Sequence, residues 1–532
     1  MSDASAGQVP LSRVVVVGAG LGGLAVAVRL AHAGHDVTVL EQAPQPGGKL
    51  GRYARGGFGF DTGPSLLTLP SVYEELFAAT GEPLSRVVDL VSVDPAFRYR
   101  FGDGTVLDLP NADPTRIAAA MDAALGAGTG AQWTAFSERA EAIWEATRGP
   151  FLESPLDGPR TLLREARKVD DLVRIAPWRS LRALGRRYLK DPRLRVLLDR
   201  YATYTGSDPR RAPAALATVP FVEQRYGAWY VRGGLQRLAD ALAQRALECG
   251  ATIRTGADVA EVLVKDVPGP RGWRAHGVRL RDGTKVEADV VVSNADAAHL
   301  YHELLAGPPG ELGRQRLRKA DPSLSGFVLL LALEGRTPDL QHHTVLFPRD
   351  YDDEFDSVFG TGRHRGRCRP APDPTVYVSA PDDPALRPDD GCEAWFVLVN
   401  APRHRPGEPA RGVDWRAEGL ADTYADRVLD VMAERGLDVR DRVRWRVVRT
   451  PADLEYATRS VGGSIYGSSS NGARSAFLRP ANASNIEGLY LVGGSAHPGG
   501  GIPLVGMSAR IVADLVGPPV APEPEREDDA LV

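Results

Sequence analysis

The sequence predicts an α/β protein whose main domain is assembled from separate segments of the chain. Two observations support this prediction. A strand–glycine–helix pattern occurs at residues 14–41 and again at residues 485–516. Between them, strand-like and helix-like stretches alternate around one long helical block at residues 111–220. Such alternation is typical of a sheet covered by helices. We therefore expect a Rossmann-like domain built from discontinuous segments, a mixed-sheet second domain and a helical cap.

The first of the two patterns predicts a βαβ unit that binds a dinucleotide. Four valines at residues 14–17 indicate a buried strand, and Gly18, Gly20 and Gly23 follow with the spacing G-x-G-x-x-G. Gly18 permits a tight turn, Gly20 lets backbone amides approach a pyrophosphate, and Gly23 lets the helix pack closely on the strands. The helix N-terminus then favours the anion through its free N–H groups and its dipole.

Glu41 ends the second strand of this unit, about 20 residues past the glycines. Its carboxylate is placed to accept hydrogen bonds from the 2′-hydroxyl of an adenosine ribose, and it would repel a 2′-phosphate. The same apolar stretch has an alternative interpretation as a secretory signal peptide. Interrupting glycine and charged residues, and the lack of a small-residue cleavage site, argue against that alternative.

A second glycine turn, Gly47-Gly48 followed by Lys49, lies close behind the first. NAD-dependent dehydrogenases do not need it, whereas in a large class of flavoproteins a glycine pair at this distance lets the backbone pass close to the cofactor. The pair therefore favours FAD over NAD, and a plain surface turn is the alternative. Further along, Ser71 followed by Glu74 predicts a capping box at a helix start.

Composition narrows the class of protein. The 532 residues are 43% apolar and 25% charged, which is ordinary for a soluble chain of two or more domains. A net charge of −4 gives no reason to expect nucleic acid as a partner. Cys249, Cys368 and Cys392 have neither metal-site nor disulfide spacing, so a reducing cytoplasm fits and no metal is expected. No transmembrane helix is evident, so any membrane contact is expected to be peripheral.

We divide the chain into six parts on these patterns. The nucleotide-binding domain is expected at residues 1–110, 221–300 and 451–516, the helical cap at 111–220 and the substrate domain at 301–450. Residues 517–532 are Pro-rich and acidic and are expected to be disordered. Within the cap, residues 161–190 carry nine Lys or Arg and three acids among apolar side chains. This segment predicts contact with the inner face of the cell membrane, and a solvated helix face is the alternative.

The second strand–glycine–helix pattern lies near the C-terminus. Residues 489–492 predict a buried strand, Gly493-Gly494 a turn, and residues 502–516 a helix, with His497 and Gly501 in the loop between them. A helix N-terminus at Ile502 can point at a pyrophosphate or a flavin ring. Because this second strand–glycine–helix pattern lies so far along the chain from the first, we expect it to close over the other end of a long cofactor.

Together these motifs resemble those of the bacterial-type phytoene desaturases, carotenoid desaturases and related oxidases, which are FAD-dependent and belong to the amine-oxidase-like superfamily. The resemblance rests on residues 14–30, the acid and second glycine turn after them, FDTGPS at 60–65, WYVRGGLQRLADAL at 229–242, VVSNAD at 291–296 and GLYLVGGSAHPGGGIPLVGMSA at 488–509. It implies a backbone contact from Val259 to adenine. The FAD-binding residues that it implies are Gly18, Gly20, Gly22, Gly23, Glu41, Gly47, Gly48, Lys49, Val259, Gly493, Gly494, Gly501 and Ile502.

Two departures from the family pattern bear on function. Many members read closer to GAGTHPGAGIPG where this chain has GGSAHPGGGIPLVGMS, so the family is clearer than the particular substrate. Ser495 stands where the wider flavoprotein pattern often has an acid that holds the ribityl chain, which leaves that task to backbone amides. Arg232 and Arg479 are candidates to neutralise the pyrophosphate, and each has an alternative interpretation as a surface arginine.

The resemblance implies a long, apolar polyene as substrate, phytoene or a related carotenoid, which loses a hydride to flavin N5 and a proton from the adjoining carbon. His497 is the candidate base or orienting group. The alternative is a histidine that hydrogen-bonds a backbone carbonyl and shapes its loop. A carotenoid oxidase, ketolase or 3,4-desaturase, a flavin amine oxidase and a non-catalytic FAD-binding protein remain as other functions. For an amine oxidase we would expect an aromatic pair near the last motif, which Gly494 and Ala496 do not offer. The sequence predicts no particular oligomeric state.

Overall fold

The computed structural model describes residues 12–156, 175–269, 271–472 and 475–519. The predictions for the N-terminal leader, for most of the C-terminal tail and for residues 161–174 of the basic segment fall outside these ranges. All structural statements below concern the described residues.

The strands and helices are numbered here in chain order. The strands β1 to β19 are Arg13–Val17, Asp36–Leu40, Arg52–Arg55, Phe58–Asp61, Leu90–Ser92, Phe97–Arg100, Val106–Leu109, Trp229–Val231, Thr252–Arg254, Val259–Asp266, Trp273–Leu280, Lys285–Glu287, Val290–Ser293, Ser325–Glu334, His343–Leu346, Val376–Ser379, Cys392–Ala401, Val443–Arg449 and Leu489–Leu491. The helices α1 to α15 are Leu21–His32, Ser71–Thr80, Pro114–Leu125, Thr129–Thr147, Leu181–Tyr188, Pro192–Arg200, Thr218–Tyr226, Gln236–Glu248, Ala297–His299, Glu311–Lys319, Tyr351–Phe359, Leu420–Glu434, Pro451–Thr458, Ser475–Leu478 and Ile502–Val516.

A five-stranded parallel sheet forms the nucleotide-binding domain, in the order β19-β13-β1-β2-β9. The central strand β1 pairs with β13 on one side and with β2 on the other. One face packs on α1, α8 and α15, and the other on the three-stranded sheet of β10, β11 and β12. Burial on both faces explains why β1 is a continuous run of valines rather than an alternating strand. The predicted α/β fold with a discontinuous Rossmann-like domain is confirmed.

The second sheet has seven strands in the order β18-β14-β17-β16-β15-β6-β7. Its neighbours are antiparallel except for β15 and β6, which pair in parallel. The strands β6 and β7 come from residues 97–109, which the sequence analysis assigned to the first nucleotide-binding segment. The division into domains stays a prediction, and these two strands belong by pairing to the larger sheet.

Helices α3 to α7 form the cap over one face of the seven-stranded sheet. Their apolar side chains, among them Trp133 and Phe136, share a core with Tyr99 and Phe347 of the sheet region. No helix among the described residues is both long and apolar enough to cross a membrane. The predicted capping box is wrong: α2 begins at Ser71, Pro70 is its N-cap, and no side-chain hydrogen bond caps it.

The contact of α1 with β1 depends on Gly23. A Cβ built on Gly23 would collide with the carbonyl oxygen of Gly18, and the rigid backbone there cannot move aside. We expect Gly23→Ala to push α1 off the sheet and to cost about 1–3 kcal/mol of folding free energy, the usual penalty of overpacking. Thermal unfolding measures the cost. The matched control is Gly149→Ala, whose Cβ meets nothing within 4 Å. Equal midpoints for the two variants would contradict this role.

Candidate functional site

A single large cavity of about 800 Å³ runs between the two sheets and the cap. Most of the residues predicted from the sequence to hold the cofactor line it. Those that do are Gly18, Gly20, Gly22, Glu41, Gly47, Gly48, Lys49, Val259, Gly494, Gly501 and Ile502, and the candidate base His497 lines it as well. Gly23 and Gly493 do not line the cavity, and both serve instead as points of close backbone packing behind it.

The side chain of Asn294 fills the space between these glycine loops. Its Nδ2 donates a hydrogen bond of 3.3 Å to the carbonyl of Gly18. A Cβ on Gly20 would lie 2.7 Å from that same Nδ2, and one on Gly22 would lie 2.8 Å from Oδ1 and 3.0 Å from the Cα of Gly493. Asn294 follows β13, whereas the glycines follow β1 and β19. Three distant chain segments therefore meet around one amide, and glycine is required where they approach.

Glu41 is buried at the end of β2 and fixes the conformation of the first loop. One carboxylate oxygen accepts a 2.7 Å hydrogen bond from the amide of Ala19, and the other accepts a 2.9 Å bond from the amide of Ala43. Each carboxylate oxygen can accept more than one hydrogen bond. The cavity-lining carboxylate therefore retains capacity for a ribose hydroxyl while it braces the glycine loop.

Lys49 is partly buried and is bound to backbone carbonyls. Its Nζ donates to the carbonyl oxygens of Ile465 at 2.7 Å and of Ser464 at 3.1 Å. Burial lowers the pKa of Lys49, and the nearby carboxylate of Asp296 opposes that shift. The lysine thus ties the second glycine turn to residues 464–465, a contact that the sequence analysis did not predict.

The two arginines proposed for pyrophosphate neutralisation have other partners. Arg479 is buried and donates to the carbonyls of Tyr466 at 2.9 Å, Gly494 at 2.8 Å and Ser468 at 2.6 Å. Burial lowers its pKa to about 10. Arg232 is half exposed and pairs with Asp89 at 2.8 Å. Ser495 accepts a 2.9 Å hydrogen bond from the amide of Ala297.

His497 lies in the loop before α15, and only 3% of its surface is exposed. Its Nε2 lies 3.0 Å from the carbonyl oxygen of Ser154 in the cap. A carbonyl only accepts, so Nε2 carries the proton and Nδ1 carries the lone pair. Burial lowers the pKa of His497 to about 4, which leaves the ring neutral and weakly basic at pH 7. This hydrogen bond to a backbone carbonyl is the contact expected under the alternative interpretation, in which His497 shapes its loop.

The end of the cavity under the cap is apolar, with one polar patch that the sequence analysis missed. The apolar side chains include Trp144, Phe151, Leu216, Val219 and Val222. The polar patch, Arg200, Tyr204, Glu223 and Tyr377, comes from α6, the turn after it, α7 and β16. No motif joins these residues, because they are brought together only when the cap closes over the second sheet.

The residues present fit the FAD predicted from the sequence. Two helices, α1 and α15, begin at this cavity at Gly20 and Gly501, and neither N-terminus is capped by a side chain. Such ends present amide groups and a positive dipole to an anion. Glu41 and Val259 line the same cavity. The cavity therefore combines two uncapped helix N-termini, which suit an anion, with a carboxylate that can accept a hydrogen bond.

Comparison with known proteins agrees with this geometry. The sequence model of the flavin containing amine oxidoreductases matches residues 21–399. The 4,4'-diapolycopene oxygenase of a Methylomonas species is 35% identical over 508 residues, which cover 95% of this chain and 98% of that protein. The zeta-carotene-forming phytoene desaturase of Myxococcus xanthus is 34% identical over 510 residues, covering 94% of this chain and 93% of that protein.

Solved structures share the fold at low identity. An oxidoreductase from Methanosarcina mazei superposes with a TM-score of 0.60 at 18% identity, covering 94% of this chain and all of that one (100%). Wild-type putrescine oxidase bound to putrescine gives a TM-score of 0.61 at 15% identity, covering 95% of this chain and 99% of that one. At these identities the likeness extends to the fold alone.

The buried state of His497 predicts a pH dependence of stability. Its folded pKa of about 4 lies below the value of about 6.5 for an unfolded histidine. Between those two values the unfolded chain binds a proton that the folded chain does not, so this residue costs stability as pH falls through that window. We expect His497→Asn to lose less thermal stability than wild type between pH 7 and pH 5. The exposed His302 gives the matched control, His302→Asn. An unchanged pH dependence in His497→Asn would show that the ring is accessible to protons.

Proposed function

The chain belongs to the flavin-containing amine oxidoreductase family, and from this premise we propose that it is an FAD-dependent oxidoreductase that desaturates a long, apolar polyene of the carotenoid type. The observation that carries the proposal is one continuous cavity with a dinucleotide cradle at one end and an apolar, aromatic wall at the other. The names of the relatives, among them phytoene and hydroxyneurosporene desaturases, support this substrate class.

We assign the FAD-binding residues as the sequence analysis named them, with two refinements. Backbone groups of Gly18, Gly20 and Gly22 would hold the pyrophosphate, and Glu41 would accept a hydrogen bond from the ribose. Gly23 and Gly493 act indirectly, because they allow the close packing that shapes the loops. Lys49 positions the second glycine turn through its contacts with residues 464–465.

FAD, when bound, supplies the acceptor for a hydride from an allylic C–H bond of the substrate. The chain's own contribution is to hold the polyene and to exclude water. The apolar wall of Leu216, Val219 and Val222 suits a hydrocarbon chain. Positive charge that develops in the reaction spreads along a conjugated system, so a strong base is not required. The two basic side chains among the predicted site residues, Lys49 and His497, are accordingly not exposed.

We propose that His497 is a positioning residue rather than the base. Its ring N–H holds the loop at residues 497–501 against the carbonyl of Ser154 in the cap. Its backbone carbonyl accepts hydrogen bonds of 2.8 Å from Asn482 and from Ser508. These contacts fix the start of α15, which faces the cavity.

A second function is favoured by one comparison. The relative with 35% identity is a 4,4'-diapolycopene oxygenase, so oxygenation of a polyene is an alternative outcome of the same binding site. Amine oxidation has in its favour the family model and the shared fold of putrescine oxidase, but the carotenoid-acting relatives at 34–35% identity favour a polyene.

Turnover of polyenes tests the proposal. We expect FAD-loaded protein, incubated in liposomes with phytoene, lycopene or an apocarotenoid, to form products that absorb at longer wavelength. When oxygen is excluded, the same substrates should reduce the flavin, and its absorbance should fall. Protein stripped of FAD is the control. A product that contains an additional oxygen atom would favour the oxygenase function. Flavin bleaching by putrescine, with no change from any polyene, would overturn the proposal in favour of an amine oxidase.

We also propose that the protein contacts a membrane surface peripherally, near the cavity. Trp178 is 65% exposed. In the sequence it follows Pro177, which lines the cavity, and precedes α5. The helix α5 buries Leu181 and Leu184 and carries Arg186 and Arg187 in its last turn. An exposed tryptophan beside arginines is suited to an anionic lipid interface.

Liposome binding tests this surface. We expect sedimentation with anionic vesicles that weakens as salt rises, because the attraction of arginines is screened. Trp178→Ala should reduce binding severalfold. Tyr456→Ala is the matched control, since Tyr456 is 83% exposed elsewhere on the chain. Equal binding by the two variants, or no binding to anionic vesicles at low salt, would remove this proposal.

A further inference from the structure

A buried arginine stands at the wall of the otherwise apolar end of the cavity. Arg200, the last residue of α6, lines the cavity and is 7% exposed. Its neighbours Arg182 and Arg210 each pair with an aspartate, Asp199 and Asp208, at 2.8 and 2.7 Å. Arg200 forms no such ion pair with any residue in the described ranges, and its Nε is buried without a hydrogen-bond partner there.

Aromatic rings surround this guanidinium instead of carboxylates. Its central carbon lies 5.3 Å from the ring centre of Tyr204, 5.4 Å from that of Tyr377 and 6.0 Å from that of Phe97. Such contacts stabilise the charge but leave N–H donors unused. Desolvated donors without acceptors are costly, and a site that keeps them has a use for them.

The acid of this patch binds tyrosine hydroxyls rather than the arginine. Glu223 accepts hydrogen bonds from the hydroxyls of Tyr201 at 2.6 Å and Tyr204 at 3.2 Å. Burial raises the pKa of Glu223 to about 7, so near neutral pH it carries only part of a negative charge. Tyr377 is likewise committed, to Ser65 at 2.6 Å and to His343 at 2.8 Å. Among the described residues, neither Glu223 nor Tyr377 is hydrogen-bonded to Arg200, and the Nε of Arg200 stays without a partner.

We infer that Arg200, within this patch, binds an oxygen atom carried at the end of the polyene, a carbonyl or hydroxyl group. This rests on the proposed function and specifies its substrate class. The apolar wall holds the hydrocarbon chain, and the guanidinium supplies a charge-assisted hydrogen bond to the one polar group. A plain hydrocarbon in the same cavity would leave those donors unpaired, so the site discriminates against it.

Equilibrium binding tests this inference separately from turnover. The probes are 4,4'-diapolycopene and its terminal aldehyde, which share one carbon skeleton, added to the FAD-loaded protein and followed by quenching of tryptophan fluorescence. We expect wild type to bind the aldehyde about tenfold more tightly than the hydrocarbon. Arg200→Met should reduce that ratio to within about twofold, and Arg200→Lys should give an intermediate ratio. The matched control is Arg211→Met, because Arg211 is half exposed and pairs with Asp321 outside the cavity.

A spectral measurement on wild type needs no variant. A hydrogen bond from a guanidinium to the aldehyde oxygen draws electron density along the conjugated chain, so the absorption band of the bound aldehyde should shift further to the red than that of the bound hydrocarbon. Equal affinities and equal shifts for the two probes would overturn the inference even if polyenes are turned over. A preserved ratio in Arg200→Met would overturn it as well. Discrimination with no turnover of either probe would uphold the subsite and count against the proposed function.

Discussion

The close approach of three chain segments around Asn294 is the constraint on which the nucleotide-binding domain depends. The turns after β1, β13 and β19 meet there, and the amide side chain takes the space that side chains on Gly20, Gly22 and Gly493 would need. One hydrogen bond to the carbonyl of Gly18 orients that amide. The parallel sheet thus determines more than the position of the loops. It determines which positions must be glycine, and at Gly20 and Gly22 this leaves the backbone open to the cavity.

Lys49 and Arg479 stabilise the part of the cavity wall formed by residues 464–468. Residues 464–468 have no regular helix or strand through most of their length, so their carbonyls need partners from elsewhere. Lys49 binds those of Ser464 and Ile465, and Arg479 binds those of Tyr466 and Ser468. The two charges are satisfied by dipoles rather than by carboxylates. Arg200 differs from both, because its neighbours are rings and its Nε has no hydrogen-bond partner among the described residues.

Local patterns predicted the fold and much of the site, since strand, glycine turn and helix follow one another within about 30 residues in such a unit. Glu41 could be placed for the same reason. The partners of Lys49 could not, because they lie more than 400 residues away and are backbone atoms. The pairing of β6 with β15 and the Arg200 patch were missed for the same reason: each forms only when distant elements pack. The capping box failed because Pro70 already occupies the capping position.

The strand order also sets a sequence of events during synthesis. The strand β19 pairs with β13, and the turn after it completes the packing around Asn294. Residues 489–493 are synthesised long after residues 14–41, so the first βαβ unit has to wait for the residues between them before its glycine loop is enclosed. Non-local parallel pairing of this kind is slow to form. The glycine loop of the first unit therefore stays open while the residues between the two segments are synthesised.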